Sequence, residues 1–295
     1  MAIGVSTACF YPNLTEKSVE YLAEKGVKEI EIFFNSQSET NIRFLSKIKR
    51  ITDANNMRVV AVHSYFCSYE PYLIFSDYER RFDDCLPFVD SLFDAGAILG
   101  ADYAILHGGR TAGKISDEVY FNRFLTLYER GIELGIKLAQ ENVNQFRSSS
   151  PIFISNMKKY LGDKSNFVLD VKQCVRSGVD VYEMVEAMGD SLRHIHLSDH
   201  NDISDCMLPL SGEFDFKSFF NYSDIIRNAT KMVEVYNSAY KDYDEVINSA
   251  MMLNKLVDKY WKPKITQYID CFCEKYTIFV IITKAMYKNI VIFYM

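Results

Sequence analysis

The chain has 295 residues, 48% hydrophobic and 24% charged, with a formal net charge of −6. That is enough apolar chain to bury a full core as one large domain or two small ones. It brings no basic field with which to gather phosphate backbones, which argues against nucleic acid as a partner. Seven scattered cysteines (Cys9, Cys67, Cys85, Cys174, Cys206, Cys271, Cys273), odd in number and mostly inside apolar segments, argue against a disulfide framework and for a reducing cytoplasm.

The segment MAIGVSTACFYPNLTEK lacks the basic n-region and long apolar h-region of a secretory signal, so a cytoplasmic location is expected. The most apolar stretch, Thr277 to Met295, is interrupted by Lys284 and Lys288 too soon for a membrane span. It reads as an extra packed element, with a poorly fitting or membrane-adjacent tail as the alternative.

Short β-branched or aromatic runs alternate with longer amphipathic ones, the pattern of parallel strands joined by helices. IGVST (3–7) leads to a helix near Thr15 to Lys25, and KEIEIFF (28–34) to one near Thr40 to Asn55. RVVAVHSYF (58–66) leads, after a longer loop, to a helix beginning after Ser76, and DYAILHGG (102–109) to one near Ser116 to Leu134. IKLAQENV (136–143) precedes a helix opened by Ser150 and Pro151, residues suited to the cap and first turn. FVLDVKQ (167–173) precedes Val181 to Met188, and RHIHLSD (193–199) precedes a helix opened by Asp215. MVEVY (232–236) precedes Ser238 to Tyr260.

Eight such units in about 250 residues match a (β/α)8 TIM barrel, an α/β fold whose sites form at the C-terminal ends of the strands. A doubly wound open sheet is the alternative. No Gly/Ser-rich linker or low-complexity segment divides the chain, so residues 1–260 read as one barrel domain. Residues 261–295 read as an atypical C-terminal extension.

A strand entering a packed barrel should be apolar, so an ionisable residue at its last inward position needs a partner or a task. The third to eighth strands each carry one: His63, His107, Glu141, Asp170, His196 and Glu234. Any one of them alone could cap a loop or join an ion pair; six at equivalent positions point to a metal centre. Imidazole with carboxylate suits Mn, Zn, Co or Fe, and converging carboxylates are hard to bury without a cation.

His194 lies two residues before His196, on the same face and one layer deeper, and reads as a supporting or core histidine. Lys172, two after Asp170, is expected to face inward, either to bind a substrate oxyanion or act as an acid, or to pair with Asp170 or Glu141. Arg110 is a candidate for a phosphate or carboxylate, with a solvated loop position as the alternative; Asp199 and His200 are candidates for the pocket lining, and His200 reads rather as a solvated loop residue. Glu31 alternates with Ile30 and Ile32, and is either inward or solvated. Tyr65, Phe66, Tyr69 and Tyr72 either roof a cavity or pack against loops.

The ordered set VHSYF, LHGG, ENV, LDVKQ, HIHLSDH, GEFDF and EVY resembles the xylose isomerase-like TIM barrel superfamily of sugar and sugar-phosphate isomerases and epimerases, which also holds the endonuclease IV (AP endonuclease family 2) enzymes. The resemblance to its ketose 3-epimerase branch implies one divalent ion on Glu141, Asp170, His196 and Glu234. The endonuclease IV pattern implies a second ion held by His63, His107 and Glu141. That pattern is broken further on: Gln173 replaces a histidine, and Asp205-Cys206-Met207 keeps only the Asp of an Asp-x-His. Gln173 also replaces a substrate-contacting histidine of the epimerases, so Gln173 and Asp205 are carried as substrate-binding candidates. Where Pro-Gly-x-Gly is usual, the chain has Pro209-Leu210-Ser211-Gly212, which implies an altered turn.

The resulting expectation is a divalent-metal-dependent isomerase or epimerase of a sugar or sugar phosphate, using Mn, Zn, Co or Mg. Glu141 and Glu234 are both ligands and proton-transfer groups around an enediolate. Phosphodiester hydrolysis at abasic DNA is the alternative, and it predicts a basic groove and an intact trinuclear site. An inosose-type dehydratase shares the enediolate logic. A non-catalytic sugar-binding barrel would require a broken ligand set. The expected partner is a small sugar; a membrane is not expected, and a homo-oligomer is the guess for the extension.

Overall fold

The computed structural model describes residues 2–260. Eight parallel strands follow one another round a closed barrel, with β8 pairing back onto β1. They are β1 (Ile3–Ser6), β2 (Glu29–Phe33), β3 (Arg58–His63), β4 (Tyr103–Leu106), β5 (Lys137–Glu141), β6 (Phe167–Asp170), β7 (Leu192–Leu197) and β8 (Thr230–Val233). The helices between and after them are α1 (Thr15–Glu24), α2 (Ile42–Ala54), α3 (Glu70–Leu73), α4 (Arg80–Leu99), α5 (Asp117–Glu133) and α6 (Pro151–Leu161). They continue as α7 (Val171–Ser177), α8 (Val181–Met188), α9 (Phe216–Tyr222), α10 (Asp224–Asn228) and α11 (Tyr243–Tyr260). The chain is thus the expected (β/α)8 barrel, not an open sheet. The described barrel falls within one compact unit, which ends at Asn254. The expected extension over 261–295, with its apolar run, lies outside the described residues. No described helix is long and apolar enough to cross a membrane.

Helix starts follow local chemistry. Asn41, Ser116, Ser150, Asp180 and Asp215 each accept a first-turn N–H at the heads of α2, α5, α6, α8 and α9, satisfying donors that have no partner inside the helix. In the strands, alternation puts every second side chain inside. Ala61, Ile105, Ala139 and Val168, all fully buried, form one core layer. Two residues further along the same strands come His63, His107, Glu141 and Asp170, which places the polar residues one layer nearer the C-terminal mouth.

The strands are shorter than the sequence runs suggest. β3 ends at His63 rather than 66, β4 at Leu106 rather than 109, β5 at Glu141 rather than 143 and β6 at Asp170 rather than 173. At each end the backbone turns to deliver a polar residue: the Asp170 carboxylate caps α7 by accepting from Gln173 N at 3.1 Å. Lys172 and Gln173 therefore sit on the first turn of a helix, not on a strand. β8 begins and ends earlier than MVEVY, leaving Glu234 one residue past it. Leu210 takes φ +69°, the left-handed region that a glycine would occupy more cheaply.

Two positions anchor this frame. A Cβ on Gly4 would lie 2.2 Å from Glu29 O and 2.5 Å from Met232 Sδ, so β1 can lie between its neighbours only with no side chain there. Glu70 is fully buried, and its Oε2 accepts from Gly108 N at 2.7 Å, which holds the chain just after His107. Burial pushes its carboxyl up to about 8, against the nearby His107 charge and the Gly108 and His107 backbone N–H groups.

Gly4→Ala should therefore destabilise the fold by roughly 1–3 kcal/mol in urea denaturation, as overpacking against backbone cannot relax cheaply. Glu70 offers a pH-dependent test. Its folded pKa lies above its unfolded one, so its contribution to stability is complete below about 4.5 and is lost as pH rises through about 8. Glu70→Gln should accordingly gain stability relative to wild type across that window, by on the order of a few kcal/mol at its upper end. A difference that stays flat from acid to neutral pH would show that burial does not hold this carboxyl protonated.

Candidate active site

Parallel register brings the strand ends of β5 to β8 together. Asp170 pairs across from His196, and Glu141 from Val168 two residues before Asp170. One ligand atom each from Glu141, Asp170, His196 and Glu234 lies within 4.8 Å of the others. His196 Nδ1 is 3.3 Å from Glu141 Oε1, 3.6 Å from Glu234 Oε1 and 3.8 Å from Asp170 Oδ2. Asp170 and His196 are fully buried, Glu141 nearly so, and Glu234 is 14% exposed at the cavity edge.

The other face of the His196 ring meets Glu31, whose Oε2 lies 3.0 Å from His196 Nε2 and 3.0 Å from His194 Nε2. Ser6 Oγ donates to Glu31 Oε1 at 3.0 Å, and Thr230 Oγ1 holds His194 Nδ1 at 2.6 Å. An ionised carboxylate only accepts, so Glu31 places the hydrogen of His196 on Nε2. The bare lone pair of Nδ1 then faces three carboxylates. That arrangement is repulsive unless a cation stands among them, either a proton on Nδ1 or a metal ion. The Oε2 atom of Glu234 is also buried with no hydrogen-bond partner. This donor set fits a divalent ion, with Glu31 as the outer carboxylate that commonly orients a ligating histidine.

Ionisation follows the same geometry. Burial alone would raise Glu141, but hydrogen bonds from His107, His196 and His63 hold it well below the usual carboxylate range. Burial likewise opposes the Glu31 charge, and the His196 and His194 contacts overcome it. Burial would lower His196, yet the charges of Glu234 and Glu31 draw it well above the usual imidazole value. Glu234, raised by burial despite His196 and Lys172, is pushed up to about 7.

A second cluster adjoins the first. His63 Nε2 and His107 Nε2 lie 3.4 and 3.2 Å from Glu141 Oε2. Cys67, four residues after His63 in the β3 loop, joins both histidines, with one ligand atom of each within 4.8 Å of the others. The Nδ1 of His63 is buried without a hydrogen-bond partner. Cys67 was not singled out in the sequence, where one cysteine near a strand end carries no signal; only the loop's return to His107 reveals it.

A cavity of about 280 Å³ opens above these groups, lined by Asn35, His107, Glu141, Lys172, Gln173 and Glu234 and by the flatter surfaces of Ala8, Tyr11, Phe33, Val235 and Tyr236. Lys172 Nζ lies 2.5 Å from Asp170 Oδ2 and 3.5 Å from Glu234 Oε1; burial disfavours its charge, but Asp170 and Glu234 raise it well above the usual lysine value. Gln173 Oε1 accepts from Asn144 N at 3.0 Å while its side chain borders the cavity.

The three other substrate-binding candidates are not among the lining residues. Arg110 lies over the Phe146 ring at 4.6 Å and donates to Gln145 Oε1. Asp205 takes a two-pronged ion pair from Arg176 at 2.6 and 3.0 Å. Asp199 turns into its own loop, accepting from His200, Gly212 and Phe214 N–H groups. Each has a local partner that sequence spacing could not display. Tyr65, Phe66, Tyr69 and Tyr72 do not line the cavity either; the aromatics that do are Tyr11, Phe33 and Tyr236. Glu31, ambiguous in sequence, is inward and fully buried.

Comparison with known proteins agrees with this architecture. An uncharacterized Mycobacterium leprae protein, ML2432, is 24% identical over 225 residues, covering 67% of this chain and 74% of its own. The crystal structure of a D-tagatose 3-epimerase-like protein superposes with a TM-score of 0.72 at 19% identity, covering 88% of this chain and 98% of that one. The Escherichia coli 3-keto-D-glucoside 4-epimerase YcjR does so with a TM-score of 0.70 at 15% identity, covering 86% and 99%. The model of the xylose isomerase-like TIM barrel family matches residues 19–249, so with its closed barrel and ligand-bearing strand ends the chain belongs to that family.

Proposed function

We propose that the protein is a divalent-metal-dependent isomerase or epimerase of a sugar, working through an enediolate. One observation carries the reading. Two carboxylates, Glu141 and Glu234, border a small cavity and converge with Asp170 and His196 on a point that needs a cation. Epimerase names among the structural relatives agree with it, though at their identities they speak for the fold alone.

Glu141, Asp170, His196 and Glu234 would hold the ion, with Mn, Zn, Co or Mg as candidates. Bound there, it supplies the positive charge that favours an enediolate over the neutral carbonyl. The chain's own groups do the rest. Glu234, with one carboxylate oxygen buried and without a hydrogen-bond partner at the cavity edge, is suited to take a proton from the carbon beside a carbonyl and to return it. Glu141, whose other oxygen faces His63 and His107, is suited to act as the second carboxylate. Lys172 and Gln173 border the cavity where substrate oxygens would lie, and His107 closes one side. Burial under Phe33 and Val235 limits the water that could protonate the intermediate at the wrong place. His63, Cys67 and His107, with Glu141, offer a place for a second, softer ion such as Zn. Asp205 and Asp199 fit this scheme as groups that hold their own loops in place rather than as sugar contacts.

Exhaustive chelation should abolish turnover in a panel of ketoses and aldoses, and one of the four ions should restore it; turnover that survives metal removal would end this mechanism. Glu141→Gln and Glu234→Gln should each lower kcat by about 10²- to 10⁴-fold. Glu31→Gln should weaken metal binding by roughly 10–100-fold while leaving much of kcat at saturating metal, because Glu31 orients His196 and does not touch substrate. Release of water, seen as a new conjugated absorbance in the product, would instead mark a dehydratase.

A further inference from the structure

Isomerisation chemistry is the same with or without a phosphate on the sugar, but recognition is not. Resting on the reading above, we infer that this site takes an unphosphorylated sugar. A phosphate dianion is held by backbone N–H groups without other partners or by arginines and lysines free to fork onto it. In barrels of this class the usual place is the loops after the seventh and eighth strands.

After β7 that place is filled from within. Asp199, 1% exposed, accepts from His200 N at 2.8 Å and Phe214 N at 2.9 Å through Oδ1, and from Gly212 N at 2.9 Å through Oδ2. A Cβ on Gly212 would stand 2.5 Å from Asp199 Oδ1, so the glycine is what lets the backbone close on the carboxylate. An internal anion thus occupies a nest of donors that could otherwise receive a phosphate. After β8, the N–H groups of Glu234, Val235 and Ala239 are donated to Leu197 O, Cys9 Sγ and Tyr236 O.

The cations are committed as well. Lys172 is the one lysine or arginine lining the cavity among the described residues, and it already faces Asp170 and Glu234. Arg176 spends both prongs on Asp205 and a third N–H on Tyr236 Oη, and Arg147 is tied to Asp117. Among the described residues Arg110 meets neutral partners, Gln145 and Phe146, and stands outside the lining. What the cavity offers instead is the pairing a neutral sugar uses: Asn35 and Gln173 for hydroxyls, and Tyr11, Phe33 and Tyr236 for its C–H faces.

The test is calorimetric titration of the metal-loaded full chain with free ketohexoses and aldohexoses and with their terminal phosphate esters, together with turnover of each. At least one free sugar should bind, its phosphate ester should bind roughly tenfold or more weakly, and inorganic phosphate should not displace the free sugar. Arg110→Ala should leave free-sugar binding unchanged. An ester that binds as tightly as its free sugar, with binding lost in Arg110→Ala, would overturn the inference. Metal-dependent turnover of esters alone would overturn it while leaving the isomerase reading intact; binding by neither class would overturn both.

Discussion

Around the imidazole of His196 the barrel gathers four carboxylates in a space almost closed to water, and the rest of the site answers to that concentration of charge. Like charges a few ångströms apart in a low-dielectric interior repel strongly unless cations or hydrogen-bond donors offset them. Glu31 is offset by two imidazoles and Ser6, Asp170 by Lys172 and a helix N-terminus, and Glu141 by three histidines. Glu234 is left least compensated, with one oxygen unpartnered and its carboxyl near neutrality in pKa. The group least satisfied by the fold is the one best placed to exchange a proton.

Such a centre is tolerable because the scaffold beneath it is ordinary. A layer of small and branched apolar residues, Ala61, Ile105, Ala139 and Val168, fills the barrel below the polar ring. The closed ladder leaves no strand at an open edge, and so gives the side chains at the mouth a fixed frame. Glu70 and Asp199 extend the same logic to the loops, each using a buried acidic side chain to fasten backbone N–H groups. The cost is charge and desolvation stored around the cavity, the usual trade of stability for a prepared site.

Much of this was legible in the chain order of residues. Eight alternating runs, and one ionisable residue at the end of each strand from the third to the eighth, are local patterns, set by the two-residue period of a strand and the apolar demand of a barrel interior. His63, His107, Glu141, Asp170, His196 and Glu234 could be named together because each stands at or beside the C-terminal end of its own strand, and the resemblance to the epimerases is what singled out Glu141, Asp170, His196 and Glu234 among them. Strand ends were read too long for a related reason: FVLDVKQ is apolar enough to continue, and only the Asp170 side chain turning to cap Gln173 N stops it.

Sequence by itself therefore determined the barrel and the ring of residues that faces its mouth, because periodicity dictates direction without reference to any partner. Only the tertiary structure decided which members of that ring meet. It brought Glu31, 165 positions away along the chain, against His196. It set Cys67 beside two histidines from different strands, turned Asp199 into its own loop, and gave Asp205 to Arg176. Those are contacts between separate loops and strands, fixed by register and closure, and no spacing along a chain encodes the distance between two atoms that the fold alone brings together.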